Sequence, residues 1–234
     1  MTNNLTLVVF AIAGFCTASC VTVAPVHGNY EKAGTLGKGN LELSGNYSHY
    51  VAGAEGNSEP VNNNIGVRAG IGLSDKIDLK IRYEKLMPVA SEPDAKFKAN
   101  YFSLVPKFNF VQNKLSLFVP LSMYRFKVES AYGNSKSTSY SIAPHLIHTF
   151  TTKSNQIDFS TSFNLEYLFN ADDNAGNNFL MGLNVGAGFS NDLRKWAIRP
   201  EIGYLFDPSE SGHVWNFGVG LQVILPTSKK STIH

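Results

Sequence analysis

The stretch Ile77-Asp78-Leu79-Lys80-Ile81-Arg82-Tyr83-Glu84 decides the fold. Its odd positions are apolar or aromatic, and its even positions are charged, with both signs present. Successive side chains of a strand point to opposite faces, so this segment has one greasy face and one ionic face. Wound as a helix, it would mix the two sets. Just before it, Ser74-Asp75-Lys76 supplies turn-forming residues, and before that a second alternating run ends at Gly72-Leu73. Two alternating runs around a short polar turn read as a β-hairpin.

The same period recurs along the chain. It predicts ten strands near 40–52, 61–73, 77–86, 99–110, 115–128, 138–150, 156–169, 178–190, 196–206 and 214–225, with no amphipathic helix of useful length between them. The connections alternate. Ser74–Lys76, Val111–Lys114, Thr151–Asn155 and Asn191–Lys195 are tight, whereas Ala52–Pro60, Met87–Lys98, Glu129–Ser137, Asn170–Asn177 and Asp207–His213 are longer and polar. Short turns at one end and long loops at the other are the pattern of outer-membrane barrels, with the short turns periplasmic. An even number of strands puts both ends of the barrel on the turn side.

Alternation does not say which face points outward, and a soluble sandwich would bury the apolar one. Three features favour a membrane barrel. The apolar phase is bulky and continuous, as in Phe179, Met181, Leu183, Val185, Ala187 and Phe189, and again in Trp215, Phe217, Val219, Leu221, Val223 and Leu225. A small barrel interior holds only a few layers of side chains, too few for such a set. Aromatics stand at both ends of this phase: Tyr47, Tyr83, Tyr140, Tyr167, Phe169, Tyr204, Phe206 and Trp215 toward the loops, and Phe108, Phe110, Phe150, Phe189 and Trp196 toward the turns. Such rings form girdles at the two water boundaries. The polar phase also carries Gly66, Gly70, Gly72, Gly182, Gly186, Gly188, Gly218 and Gly220. Glycine suits a crowded lumen in which long side chains approach from the opposite wall.

On these residues the chain resembles the small bacterial outer-membrane β-barrel proteins, a porin-like superfamily. The segment Gly72–Tyr83, GLSDKIDLKIRY, is similar to their turn and ascending strand. The resemblance spans roughly residues 39–225 by pattern. It implies an all-β, closed antiparallel barrel of about ten strands in the outer membrane. The chain departs from the family pattern after Val223-Ile224-Leu225, where a polar tail follows and no terminal aromatic stands.

Two irregularities mark the strands. Pro106, Pro120, Pro144 and Pro200 fall inside them, where each removes a ladder hydrogen bond, and bulges are expected there. In the fifth strand Leu117, Val119, Leu121 and Met123 share a face with Arg125 and Lys127. Either a bulge switches the face or these cations reach the outer headgroups, where lipopolysaccharide phosphates would suit them.

The start of the chain is a targeting segment. Leu5–Phe15 is apolar and too short to span a bilayer, and Thr17-Ala18-Ser19-Cys20 follows it. Small residues before a cysteine resemble a bacterial lipobox, which implies that Cys20 is acylated and becomes the new N-terminus. An ordinary cleaved signal peptide is the alternative. The resulting organisation is a signal peptide at 1–19, a periplasmic linker at 20–38, the barrel at 39–225 and a periplasmic tail at 226–234, with the lipid on the periplasmic side. Both cysteines, Cys16 and Cys20, lie in this segment, which excludes internal disulfides and zinc-type spacing in the remainder.

The inward charges should be Glu42, Arg68, Asp78, Lys80, Arg82, Glu84, Lys107, Asp158, Glu166, Arg199 and Glu201, with His145, Asn164, Asn184, Asn216 and Gln222 beside them. Acids and bases nearly balance. Unpaired buried charge costs several kcal/mol, so they are expected to pair and plug the lumen. A narrow channel and a proton or ligand site are the alternatives. A net charge of +2 with charged residues at 16% gives no case for a nucleic-acid partner. No cofactor or metal motif is present. Asp172, Asp173, Asp207, Glu210 and His213 line the loop rim, but the Asp-x-His element of the omptin proteases is missing. Ser48 and His49 are strand neighbours on opposite faces, and His148 lies on the lipid phase with no serine partner, so a barrel lipase is not indicated either. The expected function is a non-enzymatic structural or accessory lipoprotein. Its expected partners are outer-membrane lipids and other outer-membrane or periplasmic proteins.

Overall fold

In the computed structural model, residues 24–54, 56–89, 96–130, 133–170 and 178–227 are described. Twelve strand segments follow in order: β1 (Leu41–Ala54), β2 (Asn57–Gly72), β3 (Ile77–Pro88), β4 (Lys96–Val111), β5 (Leu115–Phe118), β6 (Leu121–Ser130), β7 (Gly133–Ile142), β8 (His145–Thr151), β9 (Ile157–Asn170), β10 (Asn178–Phe189), β11 (Trp196–Phe206) and β12 (His213–Leu225). All pairings are antiparallel, and β1 pairs with β12 from Leu41↔Leu225 to Gly53↔His213, which closes the sheet. β5 and β6 both pair with β4, and β7 and β8 both reach β9. The twelve segments are therefore ten transmembrane strands, two of them broken. Closure leaves no free edge strand in the wall, as a bilayer requires.

The breaks fall at Pro120 and Pro144. Bulges were expected at the four strand prolines, but the register shifts lie elsewhere, at Tyr50/Val51 and Asn109/Val111. At Pro120 and Pro144 the strands are interrupted instead. The proline carbonyls keep the wall connected: Val119 N–H donates to Pro106 O (3.0 Å), Ala143 N–H to Pro120 O (3.1 Å) and Leu165 N–H to Pro144 O (3.1 Å). Three of the prolines thus lie along one crease across neighbouring strands. Pro200 is accommodated within β11, opposite Val219.

Two of the expected long loops are mainly ladder. β1 and β2 pair up to Ala54↔Asn57, and β6 and β7 up to Ser130↔Gly133. These hairpins rise above the apolar zone, where neither face needs to be greasy. Pairing continues there while the alternation that betrays it disappears.

Exposure divides the wall as the period required. Leu43, Ile65, Val67, Ile81, Leu104, Leu146, Leu183, Val185, Val219 and Leu221 are exposed, and the alternate positions are buried or half-buried. Val185, 55% exposed at the middle of β10, is a direct probe of this face. Val185→Arg is expected to destabilise the barrel by about 2–4 kcal/mol in a bilayer. Urea titration followed by heat-modifiable gel migration measures it. The loop-side aromatics pack on one another across strands: Tyr204 against Trp215 (4.7 Å between centroids), Tyr140 against Phe169 (5.8 Å) and Tyr83 against Phe102 (4.9 Å). At the turn end, Trp196 Nε1 donates to Asn191 Oδ1 (2.8 Å).

Above that girdle the outward phase becomes cationic. No register shift occurs along β4–β6, so the fifth strand does not switch face, and Arg125 is exposed outside. Lys98 stands opposite Lys127, which stands opposite Lys136. Lys127 is paired to Glu129 in its own strand. Like charges directly opposed across a ladder are unfavourable. Lys98→Glu is therefore expected to stabilise the barrel by ~0.2–1 kcal/mol in neutral detergent, read from the shift of its urea midpoint.

Candidate functional site: the occupied lumen

The interior is filled by the chain's own N-terminal segment. Residues 24–36, assigned from the sequence to a linker outside the barrel, run through it, and Ala24, Val26, His27, Asn29, Tyr30, Glu31, Ala33 and Leu36 are all buried. The segment is neither helix nor strand. A buried backbone must still find hydrogen-bond partners, and here the wall's side chains supply them. Ala24 N–H donates to Asn62 Oδ1 (2.9 Å) and Val26 N–H to the Tyr124 hydroxyl (3.1 Å). Asn29 and Tyr30 N–H groups donate to the two oxygens of Glu201 (2.6 and 2.8 Å). Ala33 N–H meets Thr149 Oγ1 (2.7 Å), and Leu36 N–H bridges both oxygens of Asp78 (3.1 Å each).

Apolar contacts fix the same register. Val26 sits in a cluster with Leu86, Ala99, Tyr101 and Tyr124. Ala33 sits with Val105, Phe118 and Ile147. Tyr30 lies over β12, where glycine makes room. A Cβ on Gly220 would stand 2.7 Å from the Tyr30 Cβ, and one on Gly218 would collide with the Tyr30 hydroxyl. The lumen glycines thus serve the plug here. Elsewhere they accommodate long side chains of adjacent strands, such as Lys80 beside Gly70 and Glu84 beside Gly66. They do not admit side chains from the opposite wall, as the sequence suggested.

The structure buries Glu42, Arg68, Asp78, Lys80, Arg82, Glu84, Lys107, Asp158, Glu166, Arg199 and Glu201, each at most 9% exposed. Some pair within the wall. Arg199 clamps Asp158 through both terminal nitrogens (2.8 Å each), Arg82 pairs with Glu84, and Lys80 reaches Glu42 (2.8 Å). The centre of the network, however, is a residue of the plug. Glu31 pairs with Arg68, with Lys80 (2.6 Å) and with Lys107 (3.2 Å). Lys107 also donates to the plug carbonyls of Lys32 (2.6 Å) and Gly34 (2.7 Å). Glu201 and Asp78 take plug N–H groups, and Glu166 accepts from the Tyr124 hydroxyl (3.3 Å). The cavity left among Glu31, Arg68, Lys80 and Lys107 is about 10 Å³, at the lower limit for one water.

Sequence reasoning missed Glu31, although a signal existed. The tight turn at Ser74–Lys76 fixes the β2–β3 register and sets Arg68 directly opposite Arg82. Glu84 serves Arg82, so Arg68 needs an acid from outside its hairpin. Glu201→Gln removes the charge that holds Asn29 and Tyr30. It is expected to cost ~1.5–3 kcal/mol, measured by urea titration of the folded barrel.

At the rim, Asp207 accepts from the backbone and hydroxyl of Ser209 (2.8 and 2.5 Å), and the His213 ring packs on Tyr204 (5.4 Å). Ser48 is buried against the Tyr30 hydroxyl (2.5 Å), while His49 points outward to Asn63 Oδ1 (2.8 Å). Cys20, Asp172 and Asp173 lie outside the described residues.

No protein-family model and no curated protein matches the chain. Solved structures do. The translocator domain of the autotransporter NalP from Neisseria meningitidis superposes with a TM-score of 0.51 at 10% identity, over 93% of this chain and 97% of that one. An outer membrane channel from Pseudomonas putida F1 gives 0.49 at 10% identity, over 87% and 100%. The outer membrane protease OmpT from Escherichia coli gives 0.44 at 13% identity, over 80% and 96%. With the closed ten-strand wall and its apolar outer belt, the chain has an outer-membrane β-barrel fold, similar to that of the translocator domain.

Proposed function

We propose that this protein is a self-plugged, non-conducting and non-enzymatic barrel lipoprotein that serves as a structural or accessory subunit of an envelope complex. One observation carries the reading: residues 24–36 occupy the lumen and are bonded to the wall along its length. A lumen so filled offers no pathway for solutes. What remains for interaction is the surface, namely the two tall hairpins, the loop rim and the lipid-facing wall. Cys20, by its lipobox-like context, is the lipid attachment point. Outer-membrane lipids are the first partners on this reading, and Lys98, Arg125 and Lys136 suit the phosphates of the outer leaflet.

Planar-bilayer recording tests it. The purified full chain is expected to insert, run as a heat-modifiable band and stay silent. A robust steady current from the unaltered protein would contradict the reading. Cross-linking in intact membranes should place a defined envelope protein against the hairpin tips at Gly56 or Asn134.

A further inference from the structure

The plug has a direction, and it sets where the anchor can be. Ala24 is held by Asn62 and Val26 by Tyr124, both toward the long-loop end of their strands. Asn29 and Tyr30 are held at mid-height by Glu201 of β11. Leu36 is held by Asp78, one residue from the start of β3 at the short turn, and Gly39 N–H donates to Gly72 O (2.8 Å) at the same end. The chain therefore descends from the loop mouth to the turn end and only then turns up into β1. Pro25 lines an opening of about 630 Å³ at that mouth, with Gly53, Glu59, Phe126, Asp207 and His213.

Cys20 precedes Ala24 by four residues. Four residues reach at most ~14 Å fully extended, whereas the apolar band of an outer-membrane barrel is ~25 Å tall. With Ala24 on Asn62, a lipid on Cys20 cannot reach the inner leaflet. Residues 24–40 cross the membrane inside the barrel, which speaks against the periplasmic anchor expected from an even strand count.

We propose that the residues preceding Ala24 leave through the loop-end mouth, and that the acyl chains on Cys20 are seated in the outer leaflet beside the loop rim. This rests on the reading above that Cys20 is acylated and that the loops face outward. The plug is then tethered at both ends, by lipid outside and by β1 at the turn end.

Thiol labelling of intact cells with a membrane-impermeant maleimide tests the placement, using Thr22→Cys in the full chain. Ser209→Cys in the last loop reports the outside, and Lys229→Cys in the tail reports the periplasm. Thr22→Cys is expected to label in intact cells to the same extent as Ser209→Cys, with Lys229→Cys labelled only after permeabilisation. If Thr22→Cys labels only after permeabilisation while Ser209→Cys labels before, the exit is at the turn end and the proposal is overturned. Two other results overturn it through its premises. A silent Ser209→Cys in intact cells defeats the barrel orientation. Labelling of the unsubstituted chain reveals a free Cys20 and defeats the acylation.

Discussion

Glu31→Ala is expected to destabilise the folded barrel by about 3–5 kcal/mol, the cost of stranding buried charge by removing one partner. The size follows from what Glu31 holds. Arg68, Lys80 and Lys107 converge on its carboxylate, and all are nearly inaccessible to water. Lys80 retains Glu42 and Arg68 retains the Asn29 carbonyl (2.9 Å), but the local balance becomes three cations against fewer acids. Glu31→Gln keeps the shape and some hydrogen bonds while still removing the charge, so it should fall between the wild type and Glu31→Ala. Urea titration in detergent, scored by heat-modifiable migration, ranks the three. An external control is Asp192→Asn in the turn, where a half-buried carboxylate bonds two exposed cations, Arg194 (2.9 Å) and Lys195 (3.5 Å). Pairs whose cation stands in water contribute little, and this change should be small.

Removing residues 24–36 should have the largest functional effect: a silent barrel becomes a conducting one. The segment supplies the Tyr30 ring over Gly218 and Gly220, the Val26 and Ala33 contacts, and the Glu31 hub. Without it the wall encloses a polar lumen lined by Arg68, Lys80, Lys107, Asp78 and Glu201, and water and ions can enter. Cations outnumber acids around the vacated Glu31 position, so the opened pore is expected to favour anions. Single-channel recording and reversal potentials in asymmetric salt read both properties. A deletion variant that folds, as shown by heat-modifiability, and stays silent would show that the wall itself closes the pore.

How much of this was legible in the sequence depends on where the bilayer enforces alternation. Ile77–Glu84 and Trp215–Val223 have lipid on one side and a packed interior on the other, so period two survives there. In Asn57–Pro60 and Gly133–Ser137 neither face needs to be greasy, and the pairing leaves no apolar trace. Pro120 and Pro144 signalled irregularity, but whether a strand bulges or breaks depends on its neighbours, here the proline carbonyls of one crease. The inward positions of the wall could be read because the hairpin registers fix them. The plug could not, because its backbone is bonded by wall side chains and so leaves no period of its own. Only the unmatched Arg68, facing Arg82 across the ladder, hinted that an acid must come from elsewhere.

Residues 24–36 stand inside their own barrel, and proximity chemistry tests this directly. Ala33 N lies 2.7 Å from Thr149 Oγ1, with Ala33 itself fully buried. In outer membranes carrying Ala33→Cys together with Thr149→Cys, mild oxidation is expected to join the two thiols within a single chain. The product should be a band of altered mobility that reverts on reduction. A correctly folded, heat-modifiable barrel in which these cysteines never join, while both react freely with a small soluble maleimide, would place the segment outside the lumen and contradict the account.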